Sequence, residues 1–261
     1  MKNFTKIMRQ DFLFFAVAAL LAVSGNTAIW GQTPKTAEEF GQRGNNYYKN
    51  GDYDRAIADF TQAIRLNPNL AVAYYNRGNT YQRKGDYDRA IADYTRAIRL
   101  NSNYADAYDN RGGAYGNKRD YDRAIADHTE AIRLNPNSAV AYANRGVAYA
   151  NKRDYDRAIA DYTQAIRLNP NFTGAYNNRG LVYVDLAYAG KGDLDPAIED
   201  YTQAIRLNPN YAEAYDNRGR AYGMRRDYGR AIEDFEAALK IDPNLASAKR
   251  DLELAIQKQG R

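Results

Sequence analysis

Apolar positions recur along this chain in two alternating helical registers. Between Asp154 and Pro170, Ala158, Ile159, Tyr162, Ala165 and Ile166 fall at i, i+1, i+4, i+7 and i+8, the stripe of an amphipathic helix. Asp154 is placed to cap its start. Asn169-Pro170 predicts its end, because the residue before a proline avoids helical geometry. Ahead of it, Tyr142, Gly146 and Tyr149 share one face of another helix, and the glycine permits a close approach. Helices of about 12 to 15 residues are marginal alone in water, so stacking has to stabilise them.

The pattern is copied. GDYDRAIADFTQAIRLNPN from Gly51 returns as GDYDRAIADYTRAIRLNSN from Gly85, and in altered form at Arg119, Arg153, Gly192 and Arg226. Ala56, Ala90, Ala124 and Ala158 stand 34 residues apart; Ala197 follows five residues late, and Ala231 resumes the period. A 34-residue period of two short helices resembles the tetratricopeptide repeat family from about Ala37 to Leu245. The resemblance implies an all-α, right-handed α-solenoid of six helix-turn-helix repeats, at residues 37–70, 71–104, 105–138, 139–172, 173–211 and 212–245. The five extra residues lie between Tyr183 and Ala197. They are expected to lengthen the fifth copy's first helix by about one turn before Gly190 and Gly192 release the chain. They make either a landmark for a partner or a tolerated insertion. Residues 246–261 read as a capping helix, with Leu245, Ala248, Leu252, Ala255 and Ile256 inward and Lys249, Arg250, Glu253 and Lys258 outward.

Composition adds an address. Lys2, Lys6 and Arg9 precede the uncharged run FLFFAVAALLAV, Phe12 to Val23, and small residues follow. Residues 1–28 therefore read as a secretory signal peptide or an uncleaved anchor, with 29–36 a linker, and the body as exported to the periplasm, the envelope or the medium. With no cysteine the fold must stand on its core. The 37 basic and 32 acidic residues give +5, but the first 11 residues hold three of the bases and one acid, leaving 34 against 31. Acids and bases alternate, as in Asp154-Tyr155-Asp156-Arg157, so no basic stripe for nucleic acid emerges.

The polar residues of the first helices divide by direction. Arg145 lies between Tyr142 and Tyr149 on the packing stripe, as do Arg43, Arg77, Arg111, Arg179 and Arg218 in the other copies. A charge there needs a partner, and Asp59, Asp93, Asp127, Asp161, Asp200 and Asp234 recur as regularly. An Arg-Asp ladder is expected, within or between copies; the alternative is arginines that snorkel to water. Asn144 lies about 100° off the stripe. Its equivalents Asn76, Asn110, Asn178 and Asn217 form a column, headed by Gln42 in the first copy. In tetratricopeptide arrays the first helices line the concave groove, so the resemblance puts this column there, where carboxamides match the peptide units of an extended partner. The other reading is helix-to-helix hydrogen bonding or solvation. Asn45 and Asn79 share the groove face, Tyr75, Asp109, Asp216 and Arg220 supply its rim, and Asp106 and Glu213 are further charged candidates for anchoring a partner. The family's lysine-based clamp for C-terminal carboxylates is absent: Tyr75, Asp109, Ala143, Asn177 and Asp216 stand at its position.

His128, the only histidine, occupies the slot of Tyr94 and Tyr162 and reads as core. No nucleophile, acid-base or metal motif appears, so no catalytic residue, metal or cofactor is expected. The expected partner is a protein or peptide; the rival is self-association or docking as a subunit of an envelope assembly. No membrane contact is expected beyond the leader.

Overall fold

Asp-Tyr at the head of five of the six second helices and Asn-Pro at the tail of four set the architecture. In the computed structural model, which describes residues 34–260, Asp52, Asp86, Asp120, Asp154 and Asp227 each accept a hydrogen bond from the backbone N–H three residues on. At the other end Asn67, Asn101, Asn169 and Asn208 leave helical geometry, and each side-chain oxygen accepts the N–H two residues later at 3.1 Å. Such caps satisfy orphan backbone groups where propensity alone would let the ends fray.

The described residues fall into two units. The first, up to Pro136, holds α1 (Ala37–Lys49), α2 (Tyr53–Leu66), α3 (Ala71–Arg83), α4 (Tyr87–Leu100), α5 (Ala105–Asn117) and α6 (Tyr121–Leu134). The second, from Asn137, holds α7 (Ala139–Asn151), α8 (Tyr155–Leu168), α9 (Thr173–Tyr188), α10 (Asp195–Leu207), α11 (Ala212–Met224), α12 (Tyr228–Ile241) and α13 (Ala246–Gln259). Among the described residues all regular structure is helical. Each odd-numbered helix up to α11 packs antiparallel on the next, and within each unit neighbouring pairs stack. Within each unit the first helices of consecutive pairs touch one another, whereas the second helices do not. Such a stack bends toward α1, α3 and α5 in one unit and toward α7, α9, α11 and α13 in the other. Those helices form the inner face.

The pairs close on glycine. Gly44, Gly78, Gly112, Gly146, Gly180 and Gly219 sit against Phe60, Tyr94, His128, Tyr162, Tyr201 and Phe235, and a Cβ at any of them would lie 2.7 to 3.0 Å from a ring atom. All six rings are at most 2% exposed. His128 is thus a core residue, as its slot predicts. The insertion extends α9 to 16 residues against 13 in the other first helices up to α11, and Gly190 then turns the chain at φ +67°. Two other turns use Gly51 and Gly85 at φ +77°, but Arg119, Arg153 and Arg226 adopt φ of 61 to 63° at the matching positions. A side chain in this left-handed region costs about 1 kcal/mol or more. Arg153→Gly is expected to raise the urea midpoint of the full chain, by a stability gain of about 0.5–1 kcal/mol.

The first helix of the first unit and the last helix of the second differ from their equivalents in other repeats. Where α3 buries Ala73 and Thr80, α1 exposes Glu39 and Asn46. In the second unit Ala248 and Ala255 of α13 are buried and Leu245 and Leu252 pack beside them, as expected of a cap. Ile256 is the correction: it is 53% exposed. It stands where Tyr222 stands in α11, a position covered by the pair's own second helix, and none follows α13 among the described residues. Glu253 takes the place of Gly219, so no ring could close on α13 as Phe235 closes on α11. The apolar run at residues 12–23 and most of the linker lie outside the described residues.

Candidate functional site

The Arg-Asp ladder fixes the geometry of each pair. In all six repeats the arginine Nε and Nη2 donate to the two oxygens of the aspartate of the same repeat at 2.7 to 2.8 Å, from Arg43–Asp59 to Arg218–Asp234. The spare Nη1 reaches back one repeat, to Thr61 from Arg77, Thr95 from Arg111, Thr163 from Arg179 and Thr202 from Arg218, at 2.8 to 3.0 Å. The guanidinium also lies 5.5 to 6.0 Å from the rings that flank it in its helix, Tyr142 and Tyr149 around Arg145 among them. One side chain thus binds its own repeat by charge and its predecessor by a neutral hydrogen bond. The bond to Asp200 raises the Arg179 pKa, yet burial raises the Asp200 carboxyl despite that bond, as befits a pair near break-even between desolvation and attraction.

The asparagines of the inner face link repeats. In the first unit Asn76 Nδ2 donates to Asn45 Oδ1 at 3.0 Å, and Asn110 Nδ2 to Asn79 Oδ1 at 2.8 Å and to the Tyr75 hydroxyl at 3.0 Å. Asn79 Oδ1 also accepts from the Tyr94 hydroxyl at 2.7 Å. Burial pushes the Tyr75 phenol up to about 12. In the second unit Asn217 Nδ2 donates to Asn177 Oδ1 at 3.0 Å, and Asn177 Nδ2 lies 3.5 Å from Asn178 Oδ1. Asn45 is exposed, Asn76, Asn79, Asn144 and Asn178 are half-buried, and Asn110 and Asn217 are buried. The column therefore holds two populations, one facing out and one closed between repeats.

Two of the four expected rim residues lie deeper than a rim. Asp109 Oδ1 stands 2.6 Å from His128 Nδ1. Asp216 is only 2% exposed, held by Arg220 Nη2 at 2.5 Å and Ser247 Oγ at 2.8 Å. Tyr75 and Arg220 are half-buried. The spacing within one repeat did not identify Asn177, Gln82, whose Oε1 accepts from Tyr94 at 2.8 Å, or the four threonines. The threonines carry a readable signal, for Thr recurs two residues after the ladder aspartate in five of the six copies. Among the described residues no group of three metal-binding side chains occurs, and no helix is long and apolar enough to cross a membrane.

Family models described as TPR repeat match residues 44–85 and 186–224, and models described as tetratricopeptide repeat match 71–104, 105–138, 139–172 and 212–245. Together they span most of the chain from 44 to 245. The chain belongs to the tetratricopeptide repeat family. Solved tetratricopeptide structures agree with the fold. The APC/C hetero-tetramer Cut9-Hcn1 matches at TM-score 0.72 and 22% identity over 86% of this chain, which spans 44% of that one. YrrB, described as a TPR protein with an unusual peptide-binding site, matches at TM-score 0.56 and 28% identity over 73% of this chain and 96% of its own. MamA matches at TM-score 0.58 and 27% identity over 68% of this chain and 94% of its own. No curated protein matches the chain. The tetratricopeptide fold is that of a protein-protein interaction scaffold.

Proposed function

We propose that this chain is an exported, non-catalytic scaffold that binds an extended segment of a partner protein along the inner face of its first helices. The observation that carries the reading is the carboxamide row on that face. Asn45 and Asn76 spend one hydrogen bond on each other in the open, and a carboxamide offers two donors and two acceptor lone pairs. Asn79, Asn144 and Asn178 continue the row within their own units. Asn110 and Asn217, closed between repeats, hold the row in register. Such groups match any peptide backbone, which suits extended segments without fixing their sequence. The peptide-binding site named for YrrB, at 28% identity, supports the same use of the fold. The leader-like residues 1–28 support export. The rival reading, self-association by end-to-end stacking, would bury Glu39 and Asn46 at one end or Glu253 at the other.

The test is direct. The triple variant Asn45→Ala, Asn76→Ala and Asn144→Ala is titrated against an array of unstructured peptides that the unaltered protein captures. Each neutral hydrogen bond contributes about 0.5–1.5 kcal/mol, so affinity is expected to fall at least about tenfold while the melting temperature stays put. Unchanged capture at unchanged stability refutes the carboxamide row, and size that rises with concentration, without peptide capture, favours the assembly reading.

A further inference from the structure

The inner face of the second unit ends in a cluster of charge that helix packing leaves unsettled. α11 carries Glu213 and Asp216 three residues apart with Arg220 one turn on, and α13 lays Ser247 and Asp251 alongside. Arg220 bridges the carboxylates: its Nη2 donates to Asp216 Oδ2 at 2.5 Å, and its Nε lies 3.4 Å from Asp251 Oδ2. The second Asp251 oxygen accepts from Arg250 Nε at 2.9 Å, on a side chain that is 70% exposed. Asp216 Oδ1 and Arg220 Nε are both buried without a hydrogen-bond partner. In the first unit the matching carboxylate, Asp109, meets His128; here the matching ring is Phe235, which offers no donor. A buried charged oxygen with an unused lone pair is expensive, so the site has capacity for one more donor.

The acidic pair is specific to two repeats. YADAYDN, Tyr104 to Asn110, and YAEAYDN, Tyr211 to Asn217, place carboxylates at the same two positions of α5 and α11. The other first helices there hold Glu38 and Gly41, Val72 and Tyr75, Val140 and Ala143, or Gly174 and Asn177, and none carries the pair. In α5 Asp106 and Asp109 adjoin Tyr75 and Tyr104, whose ring centroids are 4.8 Å apart. Burial and the neighbouring Asp109 raise the Asp106 carboxyl.

We infer that Glu213 and Asp216 form a subsite for a lysine or arginine side chain of the bound segment. This rests on the inner-face reading above and names the partner's chemistry: an extended segment with basic side chains. Arg220, 37% exposed at its side chain, covers the site. When the partner's cation takes Asp216, Arg220 moves its hydrogen bonds to Asp251, already within reach. A bare divalent ion is disfavoured by that guanidinium, and a cationic side chain supplies the donor that the buried, unpartnered oxygen lacks.

The probes are acetylated, amidated Gly/Ser/Asn peptides of about ten residues, long enough to cross several repeats when extended, carrying two lysines or, in the control, two glutamines. Calorimetric titration of the full chain is expected to show the lysine peptide binding about tenfold tighter than the control, with the advantage shrinking at high salt. Asp216→Asn and Glu213→Gln should each erase most of that advantage. Should Asp216→Asn unfold, Glu213→Gln decides alone, since it lies in the first turn of α11 and only half-buried. Equal binding of both peptides, or a lysine advantage that survives Glu213→Gln, overturns the cation subsite and leaves the inner-face reading standing. Binding of neither peptide removes both.

Discussion

Arg179→Leu is expected to cost about 3–5 kcal/mol, among the largest losses available to a single substitution here. Arg179 is only 18% exposed at its side chain and Asp200 5%, and the two share a pair of hydrogen bonds at 2.7 and 2.8 Å. Removing the arginine strands a buried carboxylate that burial already pushes upward. The double variant Arg179→Met, Asp200→Leu should recover most of the loss, because replacing a buried pair by apolar groups of similar volume is near neutral. Acid separates the two as well. A carboxyl whose folded pKa is raised binds its proton more tightly in the folded state, so the deficit of Arg179→Leu should narrow as pH falls from about 7 toward about 4. Arg43→Leu, whose arginine is 38% exposed, should be milder. Urea midpoints at the two pH values read all of this, and an Arg179→Leu variant as stable as the parent would mean the arginine owes nothing to Asp200.

That ladder was legible because its members repeat. Six arginines on a packing stripe and six aspartates at a fixed place in the next helix leave few ways to pair. What one chain cannot display is which of them meet across a repeat boundary. Its own helix points Asn217 off the stripe, as for an outward carboxamide, yet the structure buries it against Asn177, 40 residues earlier. The position of Asp216 on its helix likewise suggests a rim, and α13 covers it with Ser247. Ile256 followed the helical stripe correctly and was still misplaced. The stripe says which residues share a side, and only the neighbours say whether that side is covered. Period, pairing and capping are local quantities carried by each copy; burial on the inner face depends on residues one repeat away.

The adjacent glycines of α5 separate close approach from helix propensity, with opposite signs expected. In Gly112→Ala the new Cβ would lie 2.8 Å from His128 Cε1 and 3.0 Å from both ring nitrogens. The ring is 1% exposed and stands 2.6 Å from Asp109, so it has no room to swing and the helices must part. A loss of about 1–3 kcal/mol follows from overpacking of this kind. In Gly113→Ala the nearest atom is Gln82 Nε2 at 3.6 Å, an ordinary contact, and alanine in a helix interior is favoured over glycine by about 1 kcal/mol. Residues one position apart in the same helix should therefore differ by about 2–4 kcal/mol in urea unfolding. Equal shifts would mean that the ring slot is compliant and that glycine is dispensable in the repeat. Opposite shifts would make the glycine and the aromatic ring a single device that sets the distance between paired helices, and with it the geometry in which the arginine meets its aspartate.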